Sequence, residues 1–343
     1  MKRKKNIILG YEGTYGIDVD FVINLESMGF NVIPIFINRN FEYKNLFQHI
    51  RAYINRKYFK NTEIEKELRL EPNLPLFYQS INKIEGKIDF TLIIRPDSFP
   101  KSFIKKIKNK SNLMVAYQWD GLQLFYDAPK RIKYFDRFFV FDPKDLDYNK
   151  KLLPTTNFYF DYPREFAEQV RKKSIYFFGT FINFRMGKIA DFTKVIKKLD
   201  YIPEIYVVAH QRDNINPFLD SGIVFLKEGI SYQKNIQNVA KADILVDFIN
   251  GKHNGLSFRI FDAIGSGKKI ITTNHDVYKY DFYHPNNFFI LEDNNVDALK
   301  EFLTKSYVHI PEHIKLKYSF TNWIRYVLNI GDHQIINLPK NNS

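Results

Sequence analysis

The stretch from Asp243 to Asn274 constrains the fold more than any other, because it reads DILVDFI, NGKHNG, LSFRIFDAIGSGK and KIITTN in succession. DILVDFI and KIITT are short apolar runs of the kind that become parallel strands covered on both faces. Between them lie a polar glycine loop and a short amphipathic helix, in which Phe258, Phe261 and Ile264 recur at spacing three and form a core face. Open α/β sheets bind ligands at such a loop, where the carboxyl end of a strand feeds a helix N-terminus. The helix dipole and its free N–H groups favour an anion there. Arg259 and Asp262 are also three apart and share a different face. A guanidinium suits a phosphate and a carboxylate suits a sugar hydroxyl. Together with Asn250, Gly251, Asn254, Gly255, Gly265 and Gly267, they point to a nucleotide. The alternative is a surface Arg–Asp pair of little energetic worth.

The same alternation runs through the whole chain. NIILG (6–10), a glycine loop YEGTYG (11–16), a helix and NVIPIFIN (31–38) make a βαβ opening. FTLIIRP (90–96), NLMVAYQW (112–119) and RFFVFD (137–142) are further strands, with Asp97, Asp120 and Asp142 at or just past their ends. FYFDYPREF (158–166) breaks the alternation and is the expected linker. A second series follows: SIYFFGT, EIYVVAH, GIVFLK, the stretch described above, FFIL and a helix VDALKEFLT. At 343 residues the chain suits two α/β domains. The expected organisation is an N-terminal Rossmann-like domain over 1–160 and a second over 161–310. A helical tail over 311–343 would pack back on the first domain, and the two domains would face a cleft.

Lysine and arginine exceed aspartate and glutamate by 51 − 38 = 13, which favours an anionic partner. No cysteine is present, so disulfides and thiolate metal sites are excluded. The apolar run in MKRKKNIILG is too short for a signal peptide, and no stretch approaches the ~20 apolar residues of a membrane span. A soluble or peripheral protein is expected. Residues 41–60 set Arg51, Arg56, Lys57 and Lys60 among Phe47, Tyr53, Tyr58 and Phe59. They suit either an anionic membrane surface or a basic helix with a buried stripe.

Gly10, Gly13 and Gly16 form GxxGxxG, not the dinucleotide GxGxxG, and no acidic residue closes the second strand, where Ile37, Asn38, Arg39 and Asn40 stand. A hydride-transferring enzyme is therefore disfavoured. The D-x-D pairs Asp18/Asp20 and Asp145/Asp147 invite a metal reading, but the first falls where a helix needs capping and the second follows a turn. The histidines lack metal-ligand spacing, and no metal site is expected. His210 ends a strand on the ligand side. Gly179 and Thr180 close another strand, with Arg185 and Lys188 on the helix that follows. Two cations beside a glycine turn suit a diphosphate, or simply make a solvated basic face.

FFGT with Arg185, ISYQKNIQNVAKADILVDFI and NGLSFRIFDAIGSGKKIITTN together span about 170–292 and resemble bacterial glycosyltransferases of the GT-B architecture. The likeness is to transferases of lipopolysaccharide-core and capsule assembly and to the related CgeB-like enzymes, with a weaker echo in AYQWDGL and FFVFDPKDLDY. The resemblance implies that Asp262 binds the ribose of a nucleotide-sugar donor. It further implies that Arg185, Lys188 and Arg259 neutralise the diphosphate, and that Gly255 with Ser257 supplies backbone donors. Many retaining members carry two glutamates eight residues apart, where this chain has Asn254 and Asp262, so an inverting mechanism is expected. Inversion needs a base on the N-terminal domain, for which Glu12 and Asp120 are the leading candidates and Asp97 the third.

The expected reaction is sugar transfer from a nucleotide diphosphate to an anionic glycan or lipid-linked acceptor of the bacterial surface, at the cytoplasmic face of the inner membrane. It would need no metal and no cofactor beyond the donor. A non-catalytic binder of anionic glycan or nucleic acid is the alternative from another class. No RNA-binding aromatic signature or helix-turn-helix supports a nucleic-acid partner. A sugar epimerase or polyol-phosphate transferase on the same scaffold is the enzymatic alternative.

Overall fold

A computed structural model describes residues 3–13, 16–38, 41–125, 127–164, 170–251, 253–292 and 295–339. Thr14, Tyr15, Arg39, Asn40, Glu165, Phe166 and Lys252, all within stretches named above, and the last four residues of the expected tail lie outside the described residues. The chain divides into two units. One comprises Met1–Thr155 with Ile324–Asp332, the other Thr156–Trp323 with His333–Ser343.

The first unit is built on β1 (Asn6–Glu12), β2 (Asn31–Ile37), β3 (Ile88–Ile94), β4 (Ser111–Gln118), β5 (Arg137–Val140) and β6 (Leu152–Pro154). They form one parallel sheet in the order β2-β1-β3-β4-β5-β6. Its helices are α1 (Ile17–Ser27), α2 (Leu46–Phe59), α3 (Glu63–Leu70), α4 (Leu74–Ile81) and α5 (Lys101–Lys110). Ile7, Ile8 and Leu9 on β1 are all fully buried, as a central strand covered on both faces requires. One face closes over Ile8, Ile33, Ile93, Phe99 and Ile104. β1 pairs with β2 on one side and β3 on the other, so the chain changes direction across the sheet between β1 and β3, and a crevice opens at their carboxyl ends.

The second unit carries β7 (Ser174–Thr180), β8 (Ile202–Val208), β9 (Val224–Leu226), β10 (Ile244–Asp247), β11 (Lys269–Thr272) and β12 (Phe288–Ile290). All are parallel, in the order β12-β11-β10-β7-β8-β9, so the corresponding switch point lies between β7 and β10. Its helices are α6 (Asn183–Lys198), α7 (Tyr232–Lys241), α8 (Phe258–Ser266), α9 (Val296–Thr304), α10 (Glu312–Lys317) and the start of α11 (Phe320–Leu328). None of the described helices is long and apolar enough to cross a membrane.

Four local expectations are corrected. The stretch expected to be a linker is core at its start: the Phe158 ring lies 4.5 Å from that of Trp323 and 5.1 Å from that of Phe320, because aromatic side chains at 158 and 160 have too much apolar surface for a solvated connector. β6 escapes the sequence pattern because a three-residue edge strand ending in proline carries no periodicity. Gly16 in the left-handed region, not an aspartate, caps α1, and Asp18 instead bonds the Tyr11 hydroxyl. In α2 the apolar stripe is not buried: Ala52 alone is, while Phe47 and Phe59 are 73% and 71% exposed.

Candidate functional site

In the first unit, three strand ends converge on one guanidinium. Arg95 follows β3 in a left-handed conformation (φ 58°), uncommon outside glycine, and Pro96 turns the chain so that Asp97 folds back on it. Arg95 donates from Nε and Nη2 to the two Asp97 oxygens at 2.8 Å each, and from Nη1 to Asp120 at 2.7 Å. Glu12, at the end of β1, stands 3.8 Å from the same Nη1 and accepts from Ser98 Oγ at 3.0 Å. The Phe125 ring covers the guanidinium at 3.7 Å. Burial works against the charge on Arg95, but Asp97, Asp120 and Glu12 outweigh it and hold the guanidinium above its usual range.

Sequence reasoning named all three carboxylates and missed the arginine that gathers them. The signal was present in IIRPD, where a cation stands directly after a buried strand. Beside this group lies a cavity of about 300 Å³, lined by Glu12, Glu65, Lys66, Arg69, Arg95 and Asp97 among others. Asp145 lies elsewhere, buried and accepting from the Leu122 N–H at 2.9 Å. Burial first, then the nearby Asp142, pushes its carboxyl up to about 6.

In the second unit, Arg185 and Arg259 meet at the switch point. Arg185, on the first turn of α6 and 6% exposed, donates to the carbonyls of Phe248 at 2.7 Å and Thr180 at 2.8 Å. Arg259, on the first turn of α8, donates twice to the Phe178 carbonyl, at 3.0 and 2.8 Å, and from Nη1 to Asp247 at 3.0 Å. Gly179 is what lets them approach: a Cβ there would lie 2.9 Å from Arg185 Nη2 and 3.2 Å from Arg259 Nη2. Burial, and after it the charge of Arg259, pushes Arg185 down to about 9, with Asp247 opposing. Two guanidiniums face one carboxylate, so the group carries an excess of positive charge that an anion would offset.

Asp247 is the residue missed here. It is 1% exposed and also accepts from Ser257 Oγ at 2.7 Å and Thr272 Oγ1 at 3.1 Å. Its signal was a charge closing the otherwise apolar strand ILVD. Ser257 occupies the N-cap of α8 yet turns its hydroxyl to Asp247, so the N-cap side chain does not occupy the N–H groups of that helix.

The structure thus brings together Gly179, Thr180, Arg185, Ser257 and Arg259. Lys188 and His210 are exposed, on α6 and just past β8. The Asn254 carbonyl accepts from Asn274 at 3.3 Å, and buried Gly255 lies in the loop before α8, its carbonyl 3.2 Å from His253 Nδ1. Asp262 does not share the direction of Arg259. It accepts from the Tyr232 hydroxyl at 2.8 Å and lines a cavity that includes neither Arg185 nor Arg259. Three residues along a helix leave a sideways step, enough to send Arg259 to β7 and Asp262 to α7.

No protein-family model and no curated protein sequence matches the chain. Among solved structures it is similar to sucrose-phosphate synthase from Thermosynechococcus elongatus, with TM-score 0.52 and 10% identity over 93% of this chain and 96% of that one. It is also similar to the N-terminal domain of trehalose-6-phosphate phosphatase from Candida albicans, with TM-score 0.52 and 7% identity over 94% and 95% of the two chains. A third likeness, to the lipopolysaccharide outer core galactosyltransferase WaaB, has TM-score 0.48 and 12% identity over 93% and 98%. At such identities the likeness is one of fold: two Rossmann-like units of the GT-B architecture.

Proposed function

We propose that the protein is a glycosyltransferase that moves a sugar from a nucleotide-diphosphate donor to a glycan or lipid-linked acceptor of the bacterial surface, in lipopolysaccharide-core or capsule assembly. The observation that carries this reading is the Arg185–Gly179–Arg259 group at the switch point of the second unit, where positive charge outnumbers negative. A diphosphate held there would leave with the electron pair of the broken C1–O bond, its developing charge met by the two guanidiniums rather than by a metal. In the first unit, a carboxylate beside Arg95 would take the proton of the acceptor hydroxyl as its oxygen attacks C1 from the opposite face, inverting the configuration. UDP, GDP, CMP and ADP should be screened by thermal shift with and without EDTA, since a ligand of the native state raises its melting temperature. One nucleotide is expected to stabilise the protein in EDTA, and Arg259→Ala to remove the effect. If no nucleotide shifts the wild type, or Arg259→Ala binds as well, the donor-site reading fails.

The exposed face of α2 supports contact with the inner membrane from its cytoplasmic side. Leu46, Phe47, Ile50, Tyr53, Ile54, Tyr58 and Phe59 are all exposed, and the helix contains Arg51, Arg56 and Lys57 but no acidic residue. Such a helix combines apolar insertion with attraction to anionic headgroups. Vesicles containing anionic lipid should therefore bind the protein better than neutral ones at low salt, and equal binding would end this part of the reading.

A further inference from the structure

We infer that the cavity beside Arg95 takes an uncharged, hydroxyl-bearing sugar and turns away acidic ones, so that the anionic part of any acceptor is held elsewhere. The inference rests on reading the first unit as the acceptor-binding unit. Its basis is the state of the cations that line the cavity. Lys66 is held by Asp127 at 2.8 Å and faces Glu63 at 3.7 Å. Arg69 is held by Glu65 at 2.6 Å, and Arg95 by Asp97 and Asp120 as described. Among the described lining residues, four carboxylates (Glu12, Glu65, Asp97 and Asp127) therefore stand against three cations, each already paired. Burial opposes ionisation of Asp127, yet Lys66 and Lys130 hold its carboxyl well below the usual range, so it stays ionised and paired at any physiological pH.

A sugar carboxylate or phosphate entering here would have to displace an existing partner from its cation and would stand among the carboxylates already there. Sugar hydroxyls fit the same surface directly, because each can donate to a carboxylate oxygen without breaking an ion pair. A volume of about 300 Å³ is at the small end of ligand sites and suits the terminal unit of a glycan rather than a long stretch of it. The overall excess of 13 positive charges is thus not expressed at this cavity. It is expressed instead on surfaces such as that of α2, which leaves an anionic lipid or glycan segment a separate place to bind.

The test is saturation-transfer NMR on the full chain with equimolar glucose and glucuronate, then galactose and galacturonate, each with and without the nucleotide that stabilises the protein best. Neutral sugars are expected to receive roughly tenfold more saturation than their uronates, with the signal falling in Glu12→Gln. Glu65→Gln and Asp127→Asn, which release Arg69 and Lys66, should raise the uronate signal. Uronate signals equal to or above the neutral ones in the wild type would overturn the inference. So would the lack of any sugar signal while nucleotide binding is intact. Failure of nucleotide binding with the sugar preference preserved would instead count against the donor site alone.

Discussion

Asp97 grips Arg95 through both of its carboxylate oxygens, at 2.8 Å each, although only Pro96 separates the two residues in the chain. This two-pronged bond turns the remaining guanidinium edge, Nη1, towards Asp120 and Glu12. It also sets the three carboxylates apart. Both oxygens of Asp97 are engaged by the cation, whereas Asp120 meets it through one oxygen, and Glu12 is bonded through Ser98 and stands farther off. Arg95 thus gathers the three carboxylates, and Asp97 is the partner that fixes it.

Replacing Arg95 by methionine leaves three carboxylates facing one another in a mostly buried crevice. Removing one member of a buried charge group typically costs about 3–5 kcal/mol. Urea denaturation at pH 7.5 should show a loss of that order, and Arg95→Lys, which keeps a positive charge there, should lose less. An identical loss in the two variants would mean that the arginine contributes packing and not charge balance.

Gly179→Ala should uncouple donor binding from folding. The added methyl would lie 2.8 Å from the Phe177 ring and 2.9 Å from Arg185 Nη2, so the guanidinium must move. Overpacking of this kind costs about 1–3 kcal/mol, and applied to the bound geometry it lowers nucleotide affinity roughly tenfold. Gly187→Ala is the control, because a Cβ there meets nothing within 4 Å and the residue lies inside α6. Calorimetric titration of both variants with the stabilising nucleotide separates the two outcomes. Equal affinities would show that the close approach of the arginines does not matter.

Much of this was legible in the sequence, and the unread parts have physical reasons. The strands with dense apolar runs, such as NIILG and SIYFFGT, announce a parallel sheet because burial on both faces removes polar alternation. Glu12, Asp97 and Asp120 could be named because strand ends in such sheets carry function. Arg95 and Asp247 could not be ranked, since their importance lies in partners brought from distant strands: Arg95 reaches Asp120 across 25 residues, and Asp247 reaches Thr272 across another 25. The direction of Asp262 was equally hidden, because it depends on the hydroxyl of Tyr232, 30 residues away on α7. Nor could a periodic stripe on α2 reveal whether anything covers it; only the fold shows that Phe47 and Phe59 remain exposed.

The raised carboxyl of Asp145 makes a prediction about stability and pH. Its folded-state value of about 6 lies above that of an unfolded aspartate near ~3.9, so folding favours the protonated form. The stability tied to that proton is complete below about pH 4 and is lost as pH rises through about 6. Asp145→Asn keeps an oxygen for the Leu122 N–H without the buried charge. The variant should be more stable than the wild type at pH 7.5, on the order of 1–2 kcal/mol once solvent screening is allowed for, and nearly equal to it at pH 4. Denaturant midpoints at the two values check this, and a variant that is less stable at pH 7.5 contradicts it.

The last prediction concerns the proton of the acceptor hydroxyl. With both oxygens of Asp97 held by Arg95, the base is expected to be Glu12 or Asp120, which end β1 and follow β4 and both face Nη1 of that guanidinium. Removing a true general base lowers turnover by roughly 10²–10⁴-fold. Because the proposed donor site lies in the second unit, donor affinity should stay nearly intact, which places the loss in kcat rather than in donor KM. Glu12→Gln and Asp120→Asn preserve size and can be assayed separately, together with Asp97→Asn. A large fall in one of the first two, with nucleotide titration unchanged, identifies the base. Asp97→Asn should also lose activity, but through a slackened Arg95, and so with a loss of stability that the base variant does not share. NMR of the product's anomeric proton decides the stereochemistry: an inverted configuration is expected, and a retained one excludes single displacement with any of these carboxylates as base.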